Sequence, residues 1–146
     1  MNHRVLTQGR ILYAEDNSFD LELAMAAFEQ SSLVKHLDVV RDGQEAVDYF
    51  FNRLESNNLP IVAILDINMP KMSGLDVLRK LKSHEKLKAI PVVMLTSSQM
   101  ESDICKSYEY GVNAFVVKPI DFEDFTKVVR TIGDFWGNFN KIPYAL

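Results

Sequence analysis

Two kinds of apolar pattern alternate along the chain. Short, largely apolar runs occur at Ile11–Ala14, Leu37–Val40, residues 61–65, residues 91–95 and Ala114–Val117. Such runs, bounded by turn residues, predict strands buried on both faces of a parallel sheet. Between them the apolar period becomes helical. Leu21, Ala24, Met25 and Phe28 fall at i, i+3, i+4, i+7, and Ala46, Val47, Phe50, Phe51 and Leu54 repeat the pattern. Leu75, Leu78 and Leu81, flanked by Val77, predict a third helix, and Phe122, Phe125, Val129 and Ile132, with Val128 alongside, predict the last. The fourth is polar, with Ile104, Cys105 and Tyr108 as its apolar stripe and Gly111 closing it. Asp42-Gly43 and residues 55–60 supply turn and loop chemistry. Five β-then-α units without an internal linker build a parallel sheet with helices on both faces. Right-handed crossovers then bring every strand's C-terminal end to one edge.

That edge is where open α/β folds put their ligand sites. Glu15-Asp16, Asp66, Thr96 and Lys118 each follow the last apolar residue of a different strand, so all should converge there. Each has an ordinary explanation when taken alone. Glu15-Asp16-Asn17 could be N-cap chemistry, Asp66 an Asx-turn residue before Pro70, Thr96 a cap, and Lys118-Pro119 a loop. Their shared position at four strand ends is what points to a site.

The 146 residues suit one domain with a full core, at 47% apolar and 25% charged. A net charge of −4 argues against a dedicated nucleic-acid surface. One cysteine, Cys105, excludes an intramolecular disulfide and fits a reducing compartment. No apolar stretch approaches the ~20 residues of a membrane span, and the polar N-terminus does not read as a secretory signal. A cytoplasmic domain is expected.

Three acidic groups and a lysine at a sheet edge suit a divalent cation with a phosphoryl group. Carboxylates ~4 Å apart repel by roughly 4 kcal/mol at an effective dielectric of 20, so the cluster needs a counter-ion. Mg²⁺ takes hard oxygen ligands and usually shares its shell with a phosphate. Lys118 supplies a compact positive charge, Thr96 a hydroxyl donor, and a carboxylate can itself be the nucleophile that forms an acyl phosphate.

With Glu15-Asp16, Asp66 inside Leu-Asp-Ile-Asn-Met-Pro-Lys-Met-Ser-Gly, Thr96-Ser97-Ser98, Phe115 and Lys118-Pro119, the chain resembles the receiver domains of two-component response regulators over residues 10–134. The resemblance implies a flavodoxin-like (βα)5 doubly wound fold with strand order 2-1-3-4-5. It implies that Asp66 accepts a phosphoryl group from a histidine kinase or histidine phosphotransfer protein. Asp16, Asp66 and the backbone carbonyl of Asn68 would ligate Mg²⁺ directly, and Glu15 through water. Lys118 would pair with the phosphoryl group and Thr96 would bond it, with Phe115 as the partner switch residue. Lys118-Pro119 would be a cis peptide bond. Glu15 departs from the Asp common in the family, and Phe115 lacks the hydroxyl of the alternative Tyr. A charge-assisted bond from Thr96 is worth ~1.5–3 kcal/mol, less than the ~5.5 kcal/mol of a full population reversal. Lys118, the metal and a bound partner must therefore share the bias.

Residues 135–146 are expected to form an aromatic extension rather than an output domain, with Phe135, Trp136, Phe139, Ile142, Pro143 and Tyr144 close together. An exposed aromatic cluster marks an interface; folding back onto the last helix is the alternative. The tail and the segment before the fourth strand resemble single-domain regulators of bacterial phytochrome-type kinases, which implies a homodimer through the last helix and tail.

His3, His36 and His84 lack a second ligand at metal spacing and read as structural or solvated, Cys105 as packing, and Met69 and Met72 as adaptable packing beside the site. Lys80, Lys82, Lys86 and Lys88 read as a solvated face, with kinase docking as the functional alternative. Two other classes compete. A haloacid-dehalogenase-type phosphatase needs a second Asp two residues after its nucleophile, where this chain has Asn68. A flavodoxin-type cofactor binder needs a phosphate-cradling glycine loop, which is missing. A switch rather than an enzyme is expected.

Overall fold

The computed structural model describes residues 9–30, 36–56 and 58–143. The strands are β1 (Ile11–Ala14), β2 (Leu37–Val40), β3 (Val62–Leu65), β4 (Val92–Thr96) and β5 (Ala114–Val117). The helices are α1 (Ser18–Gln30), α2 (Gly43–Asn52), α3 (Gly74–Ser83), α4 (Glu101–Glu109) and α5 (Phe122–Asp134). The strands form one sheet in the order β2-β1-β3-β4-β5, and every pairing is parallel. The fold is therefore the doubly wound (βα)5 arrangement expected from the sequence.

Alternation along each strand supplies two cores. Leu12, Ala14, Ala63, Leu65, Val92 and Met94 face α2 and α3, meeting Phe50, Leu78 and Leu81. Ile11, Tyr13, Val62, Ile64, Val93 and Leu95 face α1 and α5, meeting Phe28, Phe125 and Val129. The three central strands are buried throughout, and for that reason their sequences are uninterrupted apolar runs. β5, an edge strand, is only half-buried.

The caps place the loops. Asp42 accepts from the Glu45 N–H at the start of α2, Ser73 from the Asp76 N–H at α3, and Asp121 from the Asp124 N–H at α5. The apolar stripe expected on α4 does not form as such. Cys105 and Tyr108 are exposed, and Ser107 is the buried residue. Three apolar side chains on a short helix define its inward face weakly.

The lysines of α3 and of the segment after it are also not a purely solvated face. Lys82 Nζ donates to the carbonyls of Lys88 and Ile90 and to Asn113 Oδ1, while Lys86 Nζ donates to the Leu54 carbonyl. Burial lowers the Lys82 pKa. His84 is structural, its Nδ1 accepting from the Lys86 and Leu87 N–H groups; His3 lies outside the described residues.

After α5 the chain continues as a π turn over Phe135–Phe139. Trp136 packs partly against the α1–α5 core. Phe135 and Phe139 remain 47% and 73% exposed. Tyr144 lies outside the described residues.

Candidate functional site

The site is built from the ends of β1, β3, β4 and β5. β1 and β3 run in register, Ala14 beside Leu65, so the next residues, Glu15 and Asp66, emerge side by side. The Glu15 N–H donates to the Val40 carbonyl and the Asp66 N–H to the Ala14 carbonyl, which extends the ladder to the site itself. β4 ends in Thr96, paired with Val117, and the Lys118 N–H donates to the Thr96 carbonyl at 2.7 Å.

The Lys118 ammonium is the centre of the cluster. It donates to Glu15 Oε1 at 2.7 Å, Asp20 Oδ2 at 2.8 Å and Asp66 Oδ2 at 2.9 Å. Glu15 and Asp66 are buried; Asp20 is half-buried. Glu15 also accepts from the Tyr13 hydroxyl at 3.1 Å and the Asn17 N–H at 3.2 Å. Burial pushes the Glu15 carboxyl up to about 7, against the opposing pull of its Lys118 bond and with Asp66 adding to the rise. Burial alone would lower the Lys118 pKa, but its bonds to Asp20 and Glu15 and the charge of Asp66 leave it raised. The ammonium therefore stays charged.

The other expected residues lie around this cluster. Asp16 is exposed, and its carbonyl accepts from Arg41, which also holds Ser18. Asn68 is exposed, and its N–H makes a long 3.4 Å contact to Asp66 Oδ1, the Asx geometry in weak form. Thr96 is buried, with Oγ1 accepting from the Ser98 N–H at 3.3 Å. Phe115 is half-buried against the α2–α3 core. The N-cap reading and the site reading divide between neighbours: Asn17 Oδ1 caps α1 through the Asp20 N–H, while Glu15 turns inward.

The loop after Asp66 is fixed by close packing. The Gly74 N–H donates to the Ile67 carbonyl at 2.8 Å, and a Cβ at Gly74 would overlap the Asp66 carbonyl oxygen. Lys71 is the described non-glycine residue with positive φ, at 69°, and its ammonium lies 3.6 Å from Asp42.

One feature of the site differs from the sequence reading. No described peptide bond is cis, so Lys118–Pro119 is trans. Trans is the lower-energy isomer by about 0.5–1 kcal/mol, and Lys118 already reaches three carboxylates in it. Two residues were also missed. Asp20 stands three residues after the Asn17 cap, where an acid reads as helix-terminal chemistry. Tyr13 reads as core, yet it shares the strand face of Glu15 two residues on.

The donor set suits a hard divalent cation in charge and type. Glu15, Asp20 and Asp66 surround one ammonium, which leaves the group net negative. Among the described residues, however, no three His, Cys, Asp or Glu side chains are arranged around a common metal position. Glu15 and Asp66 are turned to Lys118 instead.

A carboxylate, a buried lysine and a buried threonine at the switch edge of a 2-1-3-4-5 sheet define a receiver. The chain belongs to the response regulator receiver domain family, whose model matches residues 11–130. A probable methanogenesis regulatory protein, FilR2, of Methanothrix harundinacea is 37% identical, with 91% of this chain and 86% of that protein covered. Response regulator Rcp1 of Synechocystis is 36% identical over 92% of this chain and 93% of its own length. The crystal structure of the Mn²⁺-bound form of response regulator Rcp1 superposes with a TM-score of 0.82, at 34% identity over 92% of this chain and 99% of that one. The phosphorylated cyanobacterial phytochrome response regulator RcpA gives a TM-score of 0.85 at 35% identity, covering 94% and 99% of the two chains. The general function is thus a phosphorylation-activated switch in two-component signal transduction, and a histidine kinase is the implied class of partner.

Proposed function

We propose that Asp66 is the phosphoryl acceptor of this receiver, and that Lys118, Thr96 and Phe115 convert its modification into an altered protein-binding surface. The observation that carries this is the ammonium of Lys118 bonded to Asp66 Oδ2 and Glu15 Oε1 at the sheet edge. Asp66 Oδ2 is engaged by Lys118, and Oδ1 has only the long Asn68 contact, so Oδ1 is the freer nucleophile. An Oδ1–P bond forms as the P–N bond of a phosphohistidine breaks, and the imidazole leaves with the electron pair. Glu15, Asp16, Asp66 and the Asn68 carbonyl would hold Mg²⁺, which when bound neutralises charge on the transferring group. Lys118 pairs with the phosphoryl oxygens, Thr96 donates its hydroxyl to them, and Phe115 repacks at the β5 surface.

The protein acts as a switch rather than a turning-over phosphatase, because Asn68 cannot serve as a general acid. It works in the cytoplasm; among the described residues no helix is long and apolar enough to cross a membrane. Its kinase is of the phytochrome type, a reading supported by the likeness to RcpA and Rcp1. Residues 135–146 extend the receiver at 10–134, and the exposed Phe135 and Phe139 support a homodimer through α5 and the tail.

Incubation with Mg²⁺ and acetyl phosphate should add one phosphoryl group by intact mass. An unmodified mass with the fold intact, or equal labelling of Asp66→Asn, overturns the assignment. Light scattering on Phe135→Ser/Phe139→Ser tests the dimer: wild type should be dimeric and the variant monomeric.

A further inference from the structure

An ammonium has three N–H donors, and Lys118 uses all three on carboxylates, at 2.7 Å to Glu15, 2.8 Å to Asp20 and 2.9 Å to Asp66. A phosphoryl group arriving on Asp66 brings acceptor oxygens and negative charge to a cation with no free donor. One existing bond must open. Glu15 is the least available partner, since its side chain is 1% exposed and is also held by Tyr13 and Asn17. Asp66 is the residue being modified and carries the phosphoryl group beside Lys118 in any case. Asp20 differs from both. Its side chain is 24% exposed, and among the described residues its carboxylate has Lys118 as its hydrogen-bond partner and no other. It sits on the first turn of α1, where water can take over its solvation at little cost.

We propose that Asp20 is a positioning residue for phosphoryl transfer. It occupies the third donor of Lys118 in the unphosphorylated protein and yields that donor to a phosphoryl oxygen, so that modification of Asp66 exchanges one anion for another. The inference rests on Asp66 being the acceptor. Two effects make Asp20 a brake on the reaction. Its bond to Lys118 must be given up, and its charge repels an anionic phosphoryl donor.

The test is the initial rate of phosphoryl gain from acetyl phosphate at fixed Mg²⁺, read by intact mass. In that reaction the Asp66 O–P bond forms as the P–O bond to the acetyl group breaks, and acetate leaves with the electron pair. Wild type, Asp20→Ala, Asp20→Asn and Asp20→Glu are compared at low and high salt. Asp20→Ala frees the donor and should react roughly three- to tenfold faster than wild type at low salt. Asp20→Asn still offers an oxygen but no charge and should fall between them, while Asp20→Glu should stay near wild type. The advantage should shrink at high salt, where the charge effect is screened.

A residue that only supports the helix predicts another order, with Asn nearest to wild type and no salt-dependent gain. Asp20→Ala and Asp20→Asn proteins with native circular dichroism that react no faster than wild type overturn the proposal. If the alanine variant fails to fold, the isosteric asparagine decides alone. Labelling of wild type but not of Asp66→Asn, with no gain in the Asp20 variants, removes only this inference. Absence of labelling in wild type removes both.

Discussion

The Tyr13 hydroxyl donates to Glu15 Oε1 at 3.1 Å, within the layer between the sheet and helices α1 and α5. Two residues apart on β1, the pair share one face of the strand, and the Tyr13 ring also meets Phe28 edge-on. A core aromatic thus serves as a hydrogen-bond donor to the site. Tyr13→Phe keeps the packing and removes one charge-assisted bond, so urea denaturation should show a loss of about 1.5–3 kcal/mol. A change below the measurement error would mean that Lys118 and Asn17 satisfy Glu15 without help.

Lys118 is the cation that makes the buried acids tolerable. Lys118→Ala leaves Glu15 and Asp66 buried and uncompensated, which should cost about 3 kcal/mol in metal-free buffer. Adding Asp66→Asn should recover a good part of that loss, because one of the opposing charges is gone. Additive losses in the double-mutant cycle would contradict this account.

Glu15 makes stability depend on pH. Its carboxyl is raised from 4.5 to about 7, chiefly by burial, with the Lys118 bond opposing the rise. The folded protein therefore binds the proton more tightly than the unfolded chain. The resulting stabilisation is full below about 4.5 and is lost as pH rises through about 7, an effect on the order of 2–3 kcal/mol without metal. Glu15→Gln cannot titrate and should flatten this part of the profile. Urea midpoints of the two proteins from pH 4.5 to 8 compare them directly, and parallel profiles would refute the role of Glu15.

Gly74 is required by contact rather than by flexibility. Its position against the Asp66 carbonyl leaves no room for a Cβ. Gly74→Ala must shift the 66–74 backbone, at a cost of about 1–3 kcal/mol. On the proposed role of Asp66, it should also slow labelling by acetyl phosphate through misplacement of that carboxylate. Normal stability together with normal labelling would show that the loop relaxes freely.

The parts legible from sequence were those set by the period of the chain. The strands, the helices and the arrival of Glu15, Asp66, Thr96 and Lys118 at one edge follow from apolar runs and crossover handedness. Asp20 escaped because its contact with Lys118 depends on how the first turn of α1 tips over the strand ends, and the nearby Asn17 cap already explains an acid there. Tyr13 escaped because burial and hydrogen bonding are properties of different atoms on one side chain. The α4 stripe misled because a few apolar residues do not fix which way a short helix turns. Lys82 looked solvated because its acceptors, two carbonyls and Asn113, belong to segments that meet only in the fold.

The bond between Lys118 and Glu15 joins residues 103 positions apart. During synthesis β1, β3 and their acids leave the ribosome long before the lysine that neutralises them. A nascent or truncated chain ending before β5 carries Glu15 and Asp66 without their cation, and it lacks the edge strand that places Phe115. The charge balance of the site is thus a property of a chain that includes β5, and shorter fragments carry its acids without their lysine.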